Sequence, residues 1–144
     1  MKGRVRVWKV RPAQVTDKPA IDGLLVSVDG DREYLPEDQF VVAEDEDGAI
    51  LGCGRLRPYP DFCELASLAV AQDARAGGVG RGIVSGLLGL YQGPIYLVCE
   101  DNVVDFFRRF RFECIPETDM PAGLHPKWEY FAALTGHMNV MWRE

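Results

Sequence analysis

The stretch ELASLAVAQDARAGGVGRGIVSGLLGL, running from Glu64 to Leu90, decides how this chain reads. Glu64–Val70 is apolar and strand-like, a short polar turn follows, and Gly77, Gly78, Gly80 and Gly82 lead into a run with helical spacing. A chain that passes through glycines into a helix leaves the helix's first backbone N–H groups unshielded. Those groups hold a negative charge such as a phosphate. Ile83, Val84, Leu87, Leu88 and Tyr91 share one face of this helix, while Gly82, Gly86 and Gly89 share the opposite one. Each interior glycine costs about 1 kcal/mol relative to alanine. The glycine face therefore either admits a close neighbour, another helix or subunit, or lies loosely packed against solvent.

Upstream, Arg4–Arg11 alternates valine with basic residues and reads as an edge strand with a wet face. Ile21, Leu24, Leu25 and Val28 have helical spacing, and Asp29–Asp38 is polar, a loop or a frayed short helix, suited to forming a substrate-facing wall. Phe40–Ala43 and Ile50–Leu56 read as strands joined by the acidic tip Glu44–Gly48. Asp-Gly favours a tight turn, and like charges need water. Phe62–Val70 is a longer strand. Downstream, the continuous apolar run Ile95–Cys99 is that of a buried central strand. Asp101 or Asn102 is placed to cap a helix whose Val103, Val104, Phe107 and Phe110 point inward. Phe112–Ile115 is strand-like, Pro116–His125 loop-rich, and His137–Arg143 a final strand. With no repeat or linker, residues 1–144 read as a single domain.

The composition, 47% hydrophobic and 26% charged, is ordinary for a soluble protein long enough to bury a core. A formal net charge of -6 argues against a nucleic-acid partner, which needs a concentrated basic face. There is no run of about 18 apolar residues to cross a membrane, and Met1–Val10 lacks the apolar core of a signal peptide. The expectation is a cytoplasmic protein without a membrane partner. Cys53, Cys63, Cys99 and Cys114 form no Cys-x-x-Cys pair and read as reduced thiols, three of them in apolar strands. His125 and His137 stand in unrelated contexts, so no metal is expected.

The glycine loop lacks the Lys-Ser/Thr of a Walker A loop, and Ile83 stands where a dinucleotide fingerprint requires its last glycine. Arg75, Gly78 and Gly80 instead fit Arg/Gln-x-x-Gly-x-Gly/Ala. That pattern resembles the acetyl-CoA pyrophosphate loop of the GNAT N-acetyltransferase superfamily. Leu68-Ala69-Val70 precedes it in the family's register, Phe106–Phe112 resembles the family's final helix, and Glu64–Val70 is similar to the acetyltransferase domains of N-acetylglutamate synthases. The resemblance implies an α/β (α+β) fold: a GNAT-like mixed, mostly antiparallel central sheet, splayed between its fourth and fifth strands, with flanking helices and acetyl-CoA lying in the opening. It further implies that Arg75 and the amides of Ala76, Gly77, Gly78, Val79, Gly80, Arg81 and Gly82 hold the pyrophosphate. Leu68, Ala69 and Val70 would line the cofactor, an amide near Ala69 or Val70 serving the oxyanion. Asn102 resembles a residue that touches the pantetheine arm; as a residue alone it is equally a plain helix cap, and Arg81 equally an ordinary helix-start cation.

Three departures from the family pattern matter. Ala76 stands for a glycine and is tolerable if its φ stays negative. Arg111 stands for the glycine after the last helix and demands an αL arginine or a different turn. Phe107, within the cofactor-binding set, occupies the position where many relatives carry a tyrosine that protonates the departing thiolate. Tyr130 and Tyr59 are the candidate replacement acids. An acceptor ammonium must lose a proton before it attacks, and Glu64 is the first candidate base, directly or through one water. Its alternatives are a solvent-facing strand residue or a salt-bridge partner of Arg55 or Arg57. If the acceptor is an amino acid, Arg32, Arg55, Arg57 or Lys127 could bind its carboxylate. The expected function is transfer of acetyl from acetyl-CoA to a primary amine of a small molecule by direct attack in a ternary complex. The alternatives are a protein or peptide N-acetyltransferase and an acyl-CoA-binding regulatory domain without turnover. A homodimer is a further expectation of the resemblance.

Overall fold

The run Gly52-Cys53-Gly54 in strand β3 (Ile50–Pro58) sorts the two faces of the sheet around it, because successive side chains on a strand point to opposite sides. Cys53 faces helix α1 (Lys18–Ser27), in a core with Ile21, Leu25, Phe40, Val42 and Ala69. Gly54 faces helix α2 (Val79–Leu88), where an added Cβ would stand 2.7 Å from Ile83 Cγ2. The computed structural model in which these contacts are seen describes residues 7–28 and 35–144. The readings made at Arg4, Arg6 and Arg32, and the start of the loop assigned to Asp29–Asp38, lie outside the described residues.

The chain forms two compact units, one from residues up to Arg57 with Leu65–Gln92, the other from Pro58–Glu64 with Gly93–Glu144. In the first, β1 (Trp8–Pro12) pairs antiparallel with β2 (Phe40–Asp45), and β2 antiparallel with β3. The acidic tip is the turn expected: Gly48 has φ +85°, and Asp45 Oδ1 accepts the amides of Asp47 and Ala49, each at 2.9 Å. Strand β4 (Cys63–Val70) is the neighbour of β3. The glycine face of α2 meets a strand rather than a helix or subunit. A Cβ at Gly82 would lie 2.6 Å from Trp8 Cη2, and one at Gly86 3.0 Å from Val10 Cγ1.

In the second unit the start of β4 runs parallel to β5 (Ile95–Cys99), with Cys63 opposite Ile95 and Glu64 opposite Tyr96. Strand β7 (Asn139–Arg143) pairs antiparallel with β5 and with β6 (Glu113–Ile115). The sheet is mixed and mostly antiparallel with flanking helices, as the resemblance implies. Met120, Leu124 and Val140 form this unit's core, with Tyr96, Val98, Ile115 and Trp128 against it. Helix α3 (Val104–Arg108) follows a 3-10 turn at Asp101–Val103, and neither start carries a side-chain cap. The cap expected from Asp101 or Asn102 is therefore corrected: Asp101 Oδ1 accepts Asn139 Nδ2 at 2.7 Å instead. After α3, Arg111 adopts φ +70° and Phe112 N–H reaches Phe107 O at 3.4 Å, so the turn is closed by an αL arginine.

Helix α4 (His125–Thr135) falls in a stretch for which the sequence reading gives no element. None of its residues is buried, so it carries no continuous apolar stripe to read. Pro126 in its first turn and Gly136 in αL at its end were the available signals.

Cys53, Cys63 and Cys99 are buried free thiols and Cys114 is exposed. Burial pushes Cys53 and Cys99 up to about 12. Among the described residues no helix is long and apolar enough to cross a membrane.

The edge strand β1 is held by charge as well as by its ladder. Arg11 donates from Nη1 and Nη2 to Asp17 at 2.8 and 3.0 Å, and from Nε to Glu44 at 2.9 Å. The guanidinium, with the Gln14 amide at 2.7 Å, holds the Asp17 carboxyl below its ordinary value against the opposing effect of burial. A lowered folded pKa gives stability that is present above the unfolded carboxylate value and lost as pH falls through the folded one. Asp17→Asn is expected to cost about 2 kcal/mol at pH 7 in urea unfolding. That difference should shrink as the pH drops below about 4; a gap constant down to pH 2 would refute the assignment.

Candidate active site

The N-terminal end of α2 is built by one left-handed residue. A 3-10 turn spans Gln72–Gly77, and Gly78, at φ +79°, then serves as N-cap of α2. Glycine adopts that conformation without steric cost. No side chain caps the helix. Its first internal bond runs from Gly82 N–H to Gly78 O at 3.0 Å, so the amides of Val79, Gly80 and Arg81 have no partner within the helix. The helix dipole adds partial positive charge there.

One guanidinium lies at this end and a second holds the turn before it. Arg75, exposed, donates from Nε to Val70 O at 3.3 Å, which ties the turn to the end of β4. Arg81 folds back over the loop: a Cβ at Gly78 would stand 3.3 Å from its Nη2. Ala76 keeps a negative φ, since among the described residues Ser67 and Arg111 are the non-glycine positions with positive φ. Its methyl therefore creates no strain, and Gly77 has open space around it. Within this unit the structure brings together Leu68, Ala69, Val70 and the whole of Arg75–Gly82.

Ser67 was not singled out by sequence reading. Its φ of +54° breaks the regular pleat of β4 one residue before Leu68. No side-chain pattern signals such a position. The Ala69 backbone lies against the Cys53 thiol and opposes the effect of burial on it.

The second unit holds Glu64, Tyr59, Lys127, Tyr130, Phe107 and Asn102. Glu64 is 0% exposed, which overturns the solvent-facing alternative, and the cation beside it is Lys127 on α4, not Arg55 or Arg57. Lys127 Nζ donates to Glu64 Oε2 at 2.5 Å, and Tyr59 Oη donates to Oε1 at 3.1 Å. So three residues named separately from the sequence form one cluster. Tyr130 lies one helical turn beyond Lys127, 63% exposed, with its ring edge-on to Phe131 at 5.2 Å. Phe107 is buried, packed edge-on against Phe106 and Phe112. Asn102 is exposed and lines a shallow cavity with Glu100, Asp101, Thr135 and His137. In the first unit Arg55 is fully buried, with Nη2 on Gln39 Oε1 at 2.6 Å and its guanidinium over the Phe40 ring. Among the described residues no group of three or more His, Cys, Asp or Glu could hold a metal ion.

A strand, a 3-10 turn, an αL glycine and a helix N-terminus without a side-chain cap follow one another in an α/β protein. The chain belongs to the GNAT acetyltransferase family: the family model described as Acetyltransferase (GNAT) domain matches residues 36–114, more than half its length. Its structure is similar to N-acetylglutamate synthase from Neisseria gonorrhoeae complexed with coenzyme A and N-acetyl-glutamate, with a TM-score of 0.75 and 20% identity. That match covers 99% of this chain and 35% of the synthase chain, so the protein spans about a third of that relative's length. It is also similar to Rv2747 from Mycobacterium tuberculosis, solved in complex with CoA, at TM-score 0.73 and 25% identity over 92% of this chain and 96% of the other. Ard1 from Thermoplasma volcanium matches with TM-score 0.71 and 15% identity over 94% and 96% of the two chains.

Proposed function

We infer that this protein transfers an acetyl group from acetyl-CoA to a primary amine of a small molecule, an amino acid being the first class to try. The observation that carries the reading is the N-terminus of α2, with three amides unbonded within the helix, Arg81 folded back over Gly78, and Arg75 on the turn that leads into it. A pyrophosphate is the ligand whose charge and acceptor count suit that set. The acceptor amine attacks the thioester carbonyl directly in a ternary complex, and Glu64 takes the proton that the ammonium must lose. The Val70 amide is favoured for the oxyanion over that of Ala69, which lies against Cys53. A thiolate of ordinary pKa near 8.5 leaves with little help. Tyr130, well exposed, is the side chain proposed to return its proton. Asn102 is proposed to touch the pantetheine arm, Phe107 to pack against the cosubstrate, and Arg57 to meet an acceptor carboxylate. A cytoplasmic setting and a homodimer accompany this reading.

One observation favours a second reading. Phe107 is packed among phenylalanines and has no proton to give, which suits an acyl-CoA-binding regulatory domain without turnover. Thermal unfolding with acetyl-CoA, CoA, NAD and ATP in parallel, followed by an amine and peptide panel scored by thiol release, separates the two. A ligand at about 100 times its dissociation constant adds about 2.7 kcal/mol. Stabilisation by both CoA species, with NAD and ATP inert, is the expected result. Stabilisation without amine-dependent thiol release would select the regulatory reading. No stabilisation by either CoA species would sink both.

A further inference from the structure

The base proposed for acetyl transfer is sealed from solvent, so something must stand between it and the amine. Glu64 is 0% exposed, and each of its oxygens already accepts a hydrogen bond, Oε1 from Tyr59 and Oε2 from Lys127. Tyr59 is only partly buried. Its ring is stacked on Phe62 at 4.4 Å, and Phe62 is braced edge-on by Tyr96 at 5.2 Å. Gly123 closes on the ring, since a Cβ there would come within 3.1 Å of Tyr59 Cδ2. The ring is thus held on carbon while its hydroxyl is aimed at the carboxylate. A phenolic hydroxyl both accepts and donates, which a proton relay requires and a carboxylate or ammonium alone does not provide.

We propose that Tyr59 is the catalytic residue that meets the acceptor amine, with Glu64 and Lys127 as positioning residues acting through it. The proposal rests on the acetyltransfer reading. In the step, an N–H bond of the acceptor ammonium breaks and its proton moves to Tyr59 Oη. The Tyr59 O–H bond breaks at the same time, and that proton moves to Glu64 Oε1. The nitrogen keeps the electron pair it then uses to attack the thioester carbonyl. Tyr59 ends as it began, Glu64 ends as the neutral acid, and the amine is uncharged. Lys127 occupies Oε2 and so keeps Oε1 turned towards Tyr59.

The test is steady-state kinetics on wild type, Tyr59→Phe, Glu64→Gln, the double variant, Lys127→Met and Lys127→Arg, with CoA-induced thermal stabilisation measured for each. Tyr59→Phe and Glu64→Gln should each lower kcat about 100-fold and leave KM for acetyl-CoA unchanged. The double variant should be no slower than the slower single one, because the two residues act as one unit. Lys127→Arg should restore most of the kcat lost in Lys127→Met. Wild-type kcat in Tyr59→Phe overturns the relay, as does a double variant that loses the product of the two single effects. If Tyr59→Phe does not fold, the lysine pair decides, and equal turnover of Lys127→Met and wild type overturns the proposal. A wild type that releases no thiol with any amine removes the acetyltransfer reading and the relay with it. A wild type that turns over beside an indifferent Tyr59→Phe removes the relay alone.

Discussion

Glu64→Gln should lower kcat on the order of 100-fold while the protein still binds acetyl-CoA. Glutamine has nearly the volume of glutamate; its one carbonyl oxygen can accept from Lys127 while its NH2 donates to the Tyr59 hydroxyl oxygen, so the packing of β4 against β5 is kept. What it loses is the capacity to take a proton. The substitution also removes an anion that is 0% exposed and bridged to an ammonium. Taking one partner from a buried pair costs about 3 kcal/mol or more. Stability and turnover will therefore both fall, and they must be read separately. Because α2 and its glycine loop belong to the other unit, stabilisation by CoA should persist in the folded variant. The decisive comparison is kcat per CoA-competent molecule, by thiol release, against the shift in unfolding temperature that CoA produces. A fall in stability with undiminished kcat would make Glu64 a structural ion-pair partner and nothing more.

The parts of this molecule that were legible are those where local chemistry and long-range packing agree. The acidic tip at Asp45–Gly48 must turn in any fold, and Ile95–Cys99 is too apolar to lie anywhere but inside. The glycine loop was readable because Gly78 serves a backbone need, a positive φ, that few other residues satisfy. The missing glycine after α3 calls for an αL arginine at position 111 or a rearranged turn, and the first holds. What escaped reading is set by partners distant in sequence. The apposition of Glu64 and Lys127, 63 positions apart, follows from where α4 packs, and α4 has no buried stripe to betray it. The strain at Ser67 leaves no trace in composition. Asp101 looked like a cap because it stands before a helix, but Asn139, on the paired strand, claims its carboxylate. The three-residue cluster thus needed the fold, whereas each of its members could be named without it.

Gly54→Val should cost about 3 kcal/mol of stability and weaken CoA binding at least tenfold, through one cause. The first added carbon would sit 2.7 Å from Ile83 Cγ2 and 3.1 Å from Leu87 Cδ1, with Leu68 Cδ1 at 3.5 Å. Ile83 and Leu87 are both 0% exposed, so neither can swing aside into open space. Protein interiors are close-packed, and the relief available is for α2 to lift from β3. Lifting α2 moves Gly78 and the three open amides away from the end of β4, to which Arg75 is tied through Val70 O. Binding geometry and packing thus fail together, which distinguishes this site from an ordinary core overpacking. Gly23→Ala supplies the contrast: Gly23 lies inside α1, and a Cβ there meets nothing within 4 Å. That variant should gain up to about 1 kcal/mol from helix propensity and leave CoA affinity unchanged. Urea midpoints with CoA titrations on both variants check the argument. A Gly54→Val protein with reduced stability but wild-type CoA affinity would show that α2 does not carry the loop with it, and would place the anion site on the turn from Gln72 to Gly77 alone.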